Sequence, residues 1–134
     1  MDKKELIKLA DDMRNMAHAP YSGYTVGAAL LAKNGNVYTG CNIENAAYSA
    51  TNCAERTAFF KAVSEGVKEF ECIAIAAGPR GQASLGGTPC GVCRQVMLEF
   101  CDDDFKVMIL KGDEVETYAL NELIPHGFSP KDLN

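Results

Sequence analysis

The chain has 134 residues, 47% of them hydrophobic and 23% charged, with a net charge of −5. That length fits a single domain, 1–134, whose core needs no disulfide staples, and the composition excludes a disordered linker. The negative balance argues against a nucleic-acid partner, and no apolar run approaches the roughly 20 residues needed to cross a bilayer.

In chain order, Leu6, Ile7, Leu9, Ala10, Met13, Met16 and Ala17 recur at helical spacing, predicting a helix over 3–18 that Pro20 closes off. The polar start Met1-Asp2-Lys3-Lys4-Glu5 leads into this helix rather than into a signal peptide, so a cytoplasmic protein is expected. His18 reads as a helix C-terminal residue rather than a ligand. Tyr24–Ala32 suits a buried strand, Asn34-Gly35 a tight turn, and Asn36–Cys41 the returning strand of a hairpin. Next, Asn42 and Glu44 share a face if the segment is extended. An amide beside a carboxylate can hold a hydroxyl-bearing ligand such as a ribose, although a solvated polar loop is the plainer reading of this segment alone.

Thr51 and Asn52 are good N-cap types and predict a helix from Cys53 to about Glu65. Phe70–Ala77 reads as a central strand in which Cys72 is a small buried hydrophobe. A glycine-rich loop, Gly78–Thr88, then delivers Pro89-Cys90-Gly91-Val92-Cys93-Arg94, with Val96, Met97, Leu98 and Phe100 continuing a second cysteine-led helix. Cys101 falls at the far end of that helix and packs. Phe105–Leu110 and Val115–Leu120 flank the Gly112-Asp113 turn and must run antiparallel. In the tail, His126 reads as a loop residue with a ligand role left open. This order predicts an α/β fold, a three-layer α/β/α sandwich around a mixed five-stranded sheet with a hairpin at each end of the chain.

Six cysteines in an intracellular chain point to metal or redox chemistry more than to disulfides. Cys53, Cys90 and Cys93 form a Cys-x-x-Cys pair plus a distant third thiolate, which is tetrahedral zinc geometry with one corner unassigned. Structural zinc sites normally use a second close pair, and none exists here. Cys41, Cys72 and Cys101 are isolated. An open corner filled by water is therefore the economical assignment, and a catalytic zinc needs that opening. On a helix body, positions two apart diverge by about 200°, so Cys53 and Glu55 can converge only if the metal lies off the helix mouth. Glu55 can then act as a general base without ligating zinc. Three thiolates leave the site negatively charged. Helix N-termini relieve this by roughly 0.3–1 kcal/mol each. A cation about 4 Å away supplies on the order of 4 kcal/mol at an effective dielectric near 20. Arg56 is the stronger choice for that cation, and Arg94 divides evenly between the same task and surface solvation.

Cys53-Ala54-Glu55-Arg56 together with Pro89-Cys90-Gly91-Val92-Cys93-Arg94-Gln95 resembles the zinc-dependent cytidine deaminases of the short homotetrameric type. Tyr21-Ser22, Val26–Leu30, Gly40–Tyr48, Leu123-Ile124-Pro125 and Phe128 extend the resemblance over nearly the whole chain. It implies one zinc ion per chain on Cys53, Cys90 and Cys93, activating a water that attacks C4 of cytosine. Glu55 would shuttle protons, converting cytidine or 2′-deoxycytidine to uridine or 2′-deoxyuridine in pyrimidine salvage. It implies sugar contacts from Asn42 and Glu44, an aromatic contact from Tyr24, and Ala54 among the substrate-binding positions. Ala46, Tyr48 and Phe128 match residues contributed across subunits, hence a homotetramer with four zinc ions. Tyr24 stands where phenylalanine is usual and Thr88 where serine is common, which bears on substrate preference rather than chemistry. The rivals are a deaminase of a related nucleoside such as blasticidin S, a polynucleotide deaminase, and a structural zinc or redox module that gives Glu55 no task.

Overall fold

The computed structural model describes all residues, Met1–Asn134. Period-two alternation in the strands decides the architecture. In β1 (Tyr24–Ala32), Ala28, Leu30 and Ala32 face one side while Ala29 and Leu31 face the other; β3 (Phe70–Pro79) and β4 (Lys106–Lys111) divide Ile73, Ile75, Val107 and Ile109 from Ala74 and Met108 in the same way. These central strands are apolar on both faces, so both must be covered. Helix α1 (Lys3–Met13) covers one face with Leu6, Ile7 and Ala10. Helices α2 (Ala54–Ser64) and α3 (Gly91–Phe100) cover the other with Ala58, Phe59, Ala62, Met97 and Leu98. Phe59 is the centre of the larger cluster, 4.9 Å from Phe70 and 6.2 Å from Phe105 between ring centroids.

With β2 (Val37–Cys41) and β5 (Glu114–Ala119), the sheet order is β2-β1-β3-β4-β5. The β3–β4 pair is parallel and every other pair antiparallel. The expected three-layer sandwich with a mixed five-stranded sheet is therefore what the chain forms. The parallel pair obliges α3 to cross over between β3 and β4, and this places the mouth of α3 beside the mouth of α2 at one end of the sheet. No helix is long and apolar enough to cross a membrane.

The first helix ends earlier than its spacing predicts. Asp2 caps it, accepting from the Glu5 N–H at 2.8 Å, but regular helix stops at Met13 and a 3₁₀ turn covers Arg14–Met16. Arg14 is buried where the apolar stripe would continue, donating to the Thr25 and Pro79 carbonyls, and Met16 is exposed. His18 is not a helix C-terminus. Its N–H donates to the Asn42 carbonyl at 3.0 Å and its carbonyl accepts from the Glu44 N–H at 2.8 Å, so the loop carrying Asn42 and Glu44 pulls it into an extended bridge.

Gly40 sets how closely α2 can lie on β2. A Cβ built there would stand 2.3 Å from the Ala54 carbonyl oxygen and 2.7 Å from the Ala58 nitrogen, both backbone atoms that cannot swing aside. Gly40→Ala must therefore lift the first turn of α2. We expect it to lower the unfolding free energy by about 1–3 kcal/mol, the usual cost of overpacking, measured by urea denaturation.

Candidate active site

Cysteine occupies the N-cap of both α2 and α3. Cys53 (φ −78°, ψ 157°) and Cys90 (φ −67°, ψ 166°) have extended backbones, and their carbonyls accept from the Thr57 and Arg94 N–H groups at 3.0 Å each. This shifts the α2 cap from the expected Thr51 or Asn52. Those side chains serve the preceding loop and the helix flank instead: Thr51 Oγ1 accepts from the Asn45 N–H, and Asn52 Nδ2 donates to Thr57 Oγ1. Neither cysteine makes a side-chain capping hydrogen bond, so both thiols are free to point away from their helices toward a common centre. Cys93, in the first turn of α3 and only 1% exposed, completes the group.

The three Sγ atoms all lie within 4.8 Å of one another, and Cys53 and Cys90 are 3.7 Å apart. Zinc–thiolate bonds of about 2.3 Å in a tetrahedron place sulfurs roughly 3.8 Å apart, close to the Cys53–Cys90 separation, so this donor set suits zinc. No fourth histidine, cysteine or carboxylate joins the group. His18 and His126 lie outside it; His126 is a turn residue with φ 57°. Cys41, Cys72 and Cys101 also remain apart, packed in or against the cores as expected.

Electrostatics at the group follow from its contacts. A hydrogen bond from the Cys93 thiol, and then the Arg56 guanidinium, bring the Cys53 thiol down to about 5 against the cost of burial. Cys93 is correspondingly held well above the usual thiol range by that same hydrogen bond and by burial. Arg56 Nη2 donates to Cys53 Sγ at 3.2 Å. Burial alone would weaken its charge, but hydrogen bonds to Cys53 and Cys93 more than compensate. Arg56 is thus committed to the cysteine group, with its direct hydrogen bond to Cys53.

Glu55 is 5% exposed, and burial pushes its carboxyl up to about 7. It lines a cavity of about 220 Å³ with Cys53 and Cys90. Tyr24 and Asn42 share that wall, joined by Val26, Ile75, Ala77, Gly87 and Thr88. The apolar members Val26, Ile75 and Ala77 carry no sequence signal beyond strand alternation, because only the sheet's register reveals that they line a hollow. Asn42 spans the start of β1, donating from Nδ2 to the Tyr24 carbonyl at 2.8 Å and accepting at Oδ1 from the Val26 N–H at 2.9 Å.

The remaining expected contacts lie elsewhere on the chain. Glu44 faces an adjoining hollow with Tyr21, Ser22, Tyr48 and Thr51. It accepts from the Tyr21 and Ser22 N–H groups at 3.0 and 3.1 Å and from the Ser22 hydroxyl, which holds its carboxyl below the ordinary range. Thr51 borders both hollows. Ala46 is exposed, and Tyr48 and Phe128 are 75% and 60% exposed. Ala54 is fully buried against Gly40 and presents no side chain to the cavity. Arg94 makes no hydrogen bond to the thiols; it donates to the Pro89 and Leu123 carbonyls and to the Thr88 hydroxyl.

Comparison with known proteins agrees with this geometry. Residues 1–109 match the model of the cytidine and deoxycytidylate deaminase zinc-binding region. The chain belongs to that family. A cytidine deaminase from Sporosarcina psychrophila is 52% identical over 136 residues, covering 100% of this chain and 96% of the relative. One from Halalkalibacterium halodurans is 48% identical over 136 residues, covering 100% and 99%. The crystal structure of cytidine deaminase from Burkholderia pseudomallei superposes with a TM-score of 0.87 at 40% identity, covering 96% of this chain and 100% of that one. This deaminase-family chain is an enzyme whose cofactor is zinc, and the three-cysteine group is built to take it.

Burial of Glu55 has a cost that can be measured without turnover. Its carboxyl ionises near 4.5 when the chain is unfolded and near 7 when folded, so the zinc-free fold loses stability as pH rises from about 4.5 to about 7, and the loss is complete above. Glu55→Gln removes that penalty. In zinc-free protein at pH 8 we expect the variant to be more stable by on the order of 3 kcal/mol, and at pH 4 to gain almost nothing, in paired denaturant titrations.

Proposed function

We propose that the chain is a cytidine deaminase that hydrolyses cytidine and 2′-deoxycytidine to uridine and 2′-deoxyuridine with release of ammonia, in pyrimidine salvage in the cytoplasm. The observation that carries this reading is the buried Glu55 carboxyl, poised to take up and give back a proton near neutral pH, in one cavity with Cys53 and Cys90 of the three-cysteine group. A structural zinc module has no use for a buried acid of that kind, and a closed site would need a fourth ligand.

In this reading Cys53, Cys90 and Cys93 hold zinc, which supplies the Lewis acidity that makes water a nucleophile at neutral pH. Glu55 accepts a proton from the attacking water and delivers it to N3 of the cytosine ring as the C4–O bond forms. It then carries the remaining hydroxyl proton to the exocyclic amino group. The C4–N bond breaks, ammonia departs, and C4 becomes the uracil carbonyl with N3 keeping its proton. Proton transfer of this kind contributes about 10²–10⁴-fold to rate. Arg56 supports the step by offsetting thiolate charge that would otherwise oppose ionisation of the water.

Tyr24 and Asn42, on the cavity wall, are placed to hold the nucleoside, and Glu44 in the adjoining hollow is placed to accept from a sugar hydroxyl. Ala54 contributes through its backbone at the helix mouth. The exposure of Ala46, Tyr48 and Phe128 supports a homotetramer in which these residues complete a neighbouring subunit's site. The net charge of −5 weighs against polynucleotide substrates.

Purified protein should hold about one zinc per chain by elemental analysis and convert cytidine to uridine, followed by the fall in ultraviolet absorbance. Glu55→Gln should retain the metal and lose about 10²–10⁴-fold in kcat; full activity in that variant would overturn the mechanism. Analytical ultracentrifugation should find a tetramer at working concentration, and a fully active monomer would overturn the shared site.

A further inference from the structure

The three ligands are not equally secured. Cys93 is anchored within the body of α3, and Cys53 is held by the Arg56 guanidinium at 3.2 Å. Cys90 is exposed, caps its helix, and follows a glycine-bearing segment outside regular structure, so its Sγ position depends on the backbone of Thr88 and Pro89. That backbone has one dedicated side-chain partner. Arg94 Nε donates to the Pro89 carbonyl at 2.7 Å, Nη2 to the Thr88 hydroxyl at 2.9 Å and Nη1 to the Leu123 carbonyl at 2.5 Å. Leu123 ends the short helix Leu120–Leu123, which packs against α3. One turn of α3 thus reaches back to the residues before Cys90 and outward to the C-terminal segment, which Gln95 also holds by donating to the Phe128 carbonyl at 2.7 Å.

We propose that Arg94 is a positioning residue that fixes Cys90 for zinc by clamping Thr88–Pro89 to Leu123. The guanidinium suits the task because its rigid planar fork meets three acceptors lying in different directions, whereas an ammonium is a single point donor. Outer-shell partners of this kind typically govern metal retention by about 10–100-fold. The inference rests on zinc being bound at Cys90.

The test is zinc transfer from the holoenzyme to the chromophoric chelator 4-(2-pyridylazo)resorcinol, with melting temperature measured in parallel. Arg94→Gln and Arg94→Lys should both release zinc about 10-fold faster than the unaltered protein. Thr88→Val, lacking one acceptor, should fall between. Gln95→Ala, which frees only the tail, should stay within about two-fold of the unaltered rate. Unchanged release in both Arg94 variants alongside a lowered melting temperature would overturn the proposal, as would equally fast release from Gln95→Ala. Should the Arg94 variants fail to fold, an unchanged rate in Thr88→Val overturns it. Unaltered protein that holds no zinc would instead defeat the zinc assignment itself.

Discussion

Three thiol sulfurs within 4.8 Å of one another are a charge problem before they are a ligand set. The architecture answers it by bringing the positive ends of two helices to one point. Neither helix could do so alone: α2 supplies one sulfur and α3 two, and their mouths meet because the parallel β3–β4 pair obliges α3 to cross over on the face that α2 already covers. With cysteine at both N-caps, each thiol lies off a helix end, where free backbone N–H groups and the dipole favour a thiolate. The same geometry lets Glu55, in the first turn, face the cavity although two residues along a helix body would face apart. Gly40 belongs to this arrangement, since it lets α2 lie close enough to the sheet for Glu55 to be buried.

The two arginines near the site divide its needs between them. Arg56 meets Cys53 Sγ directly and leaves its own Nε buried without a partner, a desolvation cost consistent with its charge being committed to sulfur. Arg94, adjacent to a ligand in sequence, spends its donors on two carbonyls and a hydroxyl. One is turned toward sulfur and the other toward backbone and hydroxyl acceptors. Both tasks suit a guanidinium that stays protonated under any working condition.

Much of this was legible in the sequence where the signal is local. The apolar run Tyr24–Ala32 matched its strand to the residue, and the spacing of Cys53, Cys90, Cys93 and Glu55 pointed to a metal off two helix mouths. Where the deciding partner is distant in the chain, the reading fell short. The first helix stops at Met13 because buried Arg14 finds Thr25 and Pro79, and because Asn42 and Glu44 draw His18 into an extended bridge. The role of Arg94 was undecidable because its acceptor Leu123 comes from another element. Cysteine is not a favoured capping residue, so propensity pointed to Thr51 and Asn52; the cap falls on Cys53 because the site needs a thiol there more than the helix needs a capping hydrogen bond.

The two hollows give their carboxylates different environments. The one beside the cysteines sets Val26, Ile75 and Ala77 against Glu55, and burial is what raises the Glu55 carboxyl to about 7. The adjoining hollow is open, carries Glu44 and Tyr48, and leaves its carboxylate low because three local donors stabilise the charge. Two carboxylates in one short stretch of chain thus hold opposite protonation tendencies. Burial tunes a carboxyl toward proton exchange near neutral pH, and exposure with several donors keeps one a fixed anion. Thr51 borders both hollows, so the two environments meet at the residue just before the cysteine-led helix.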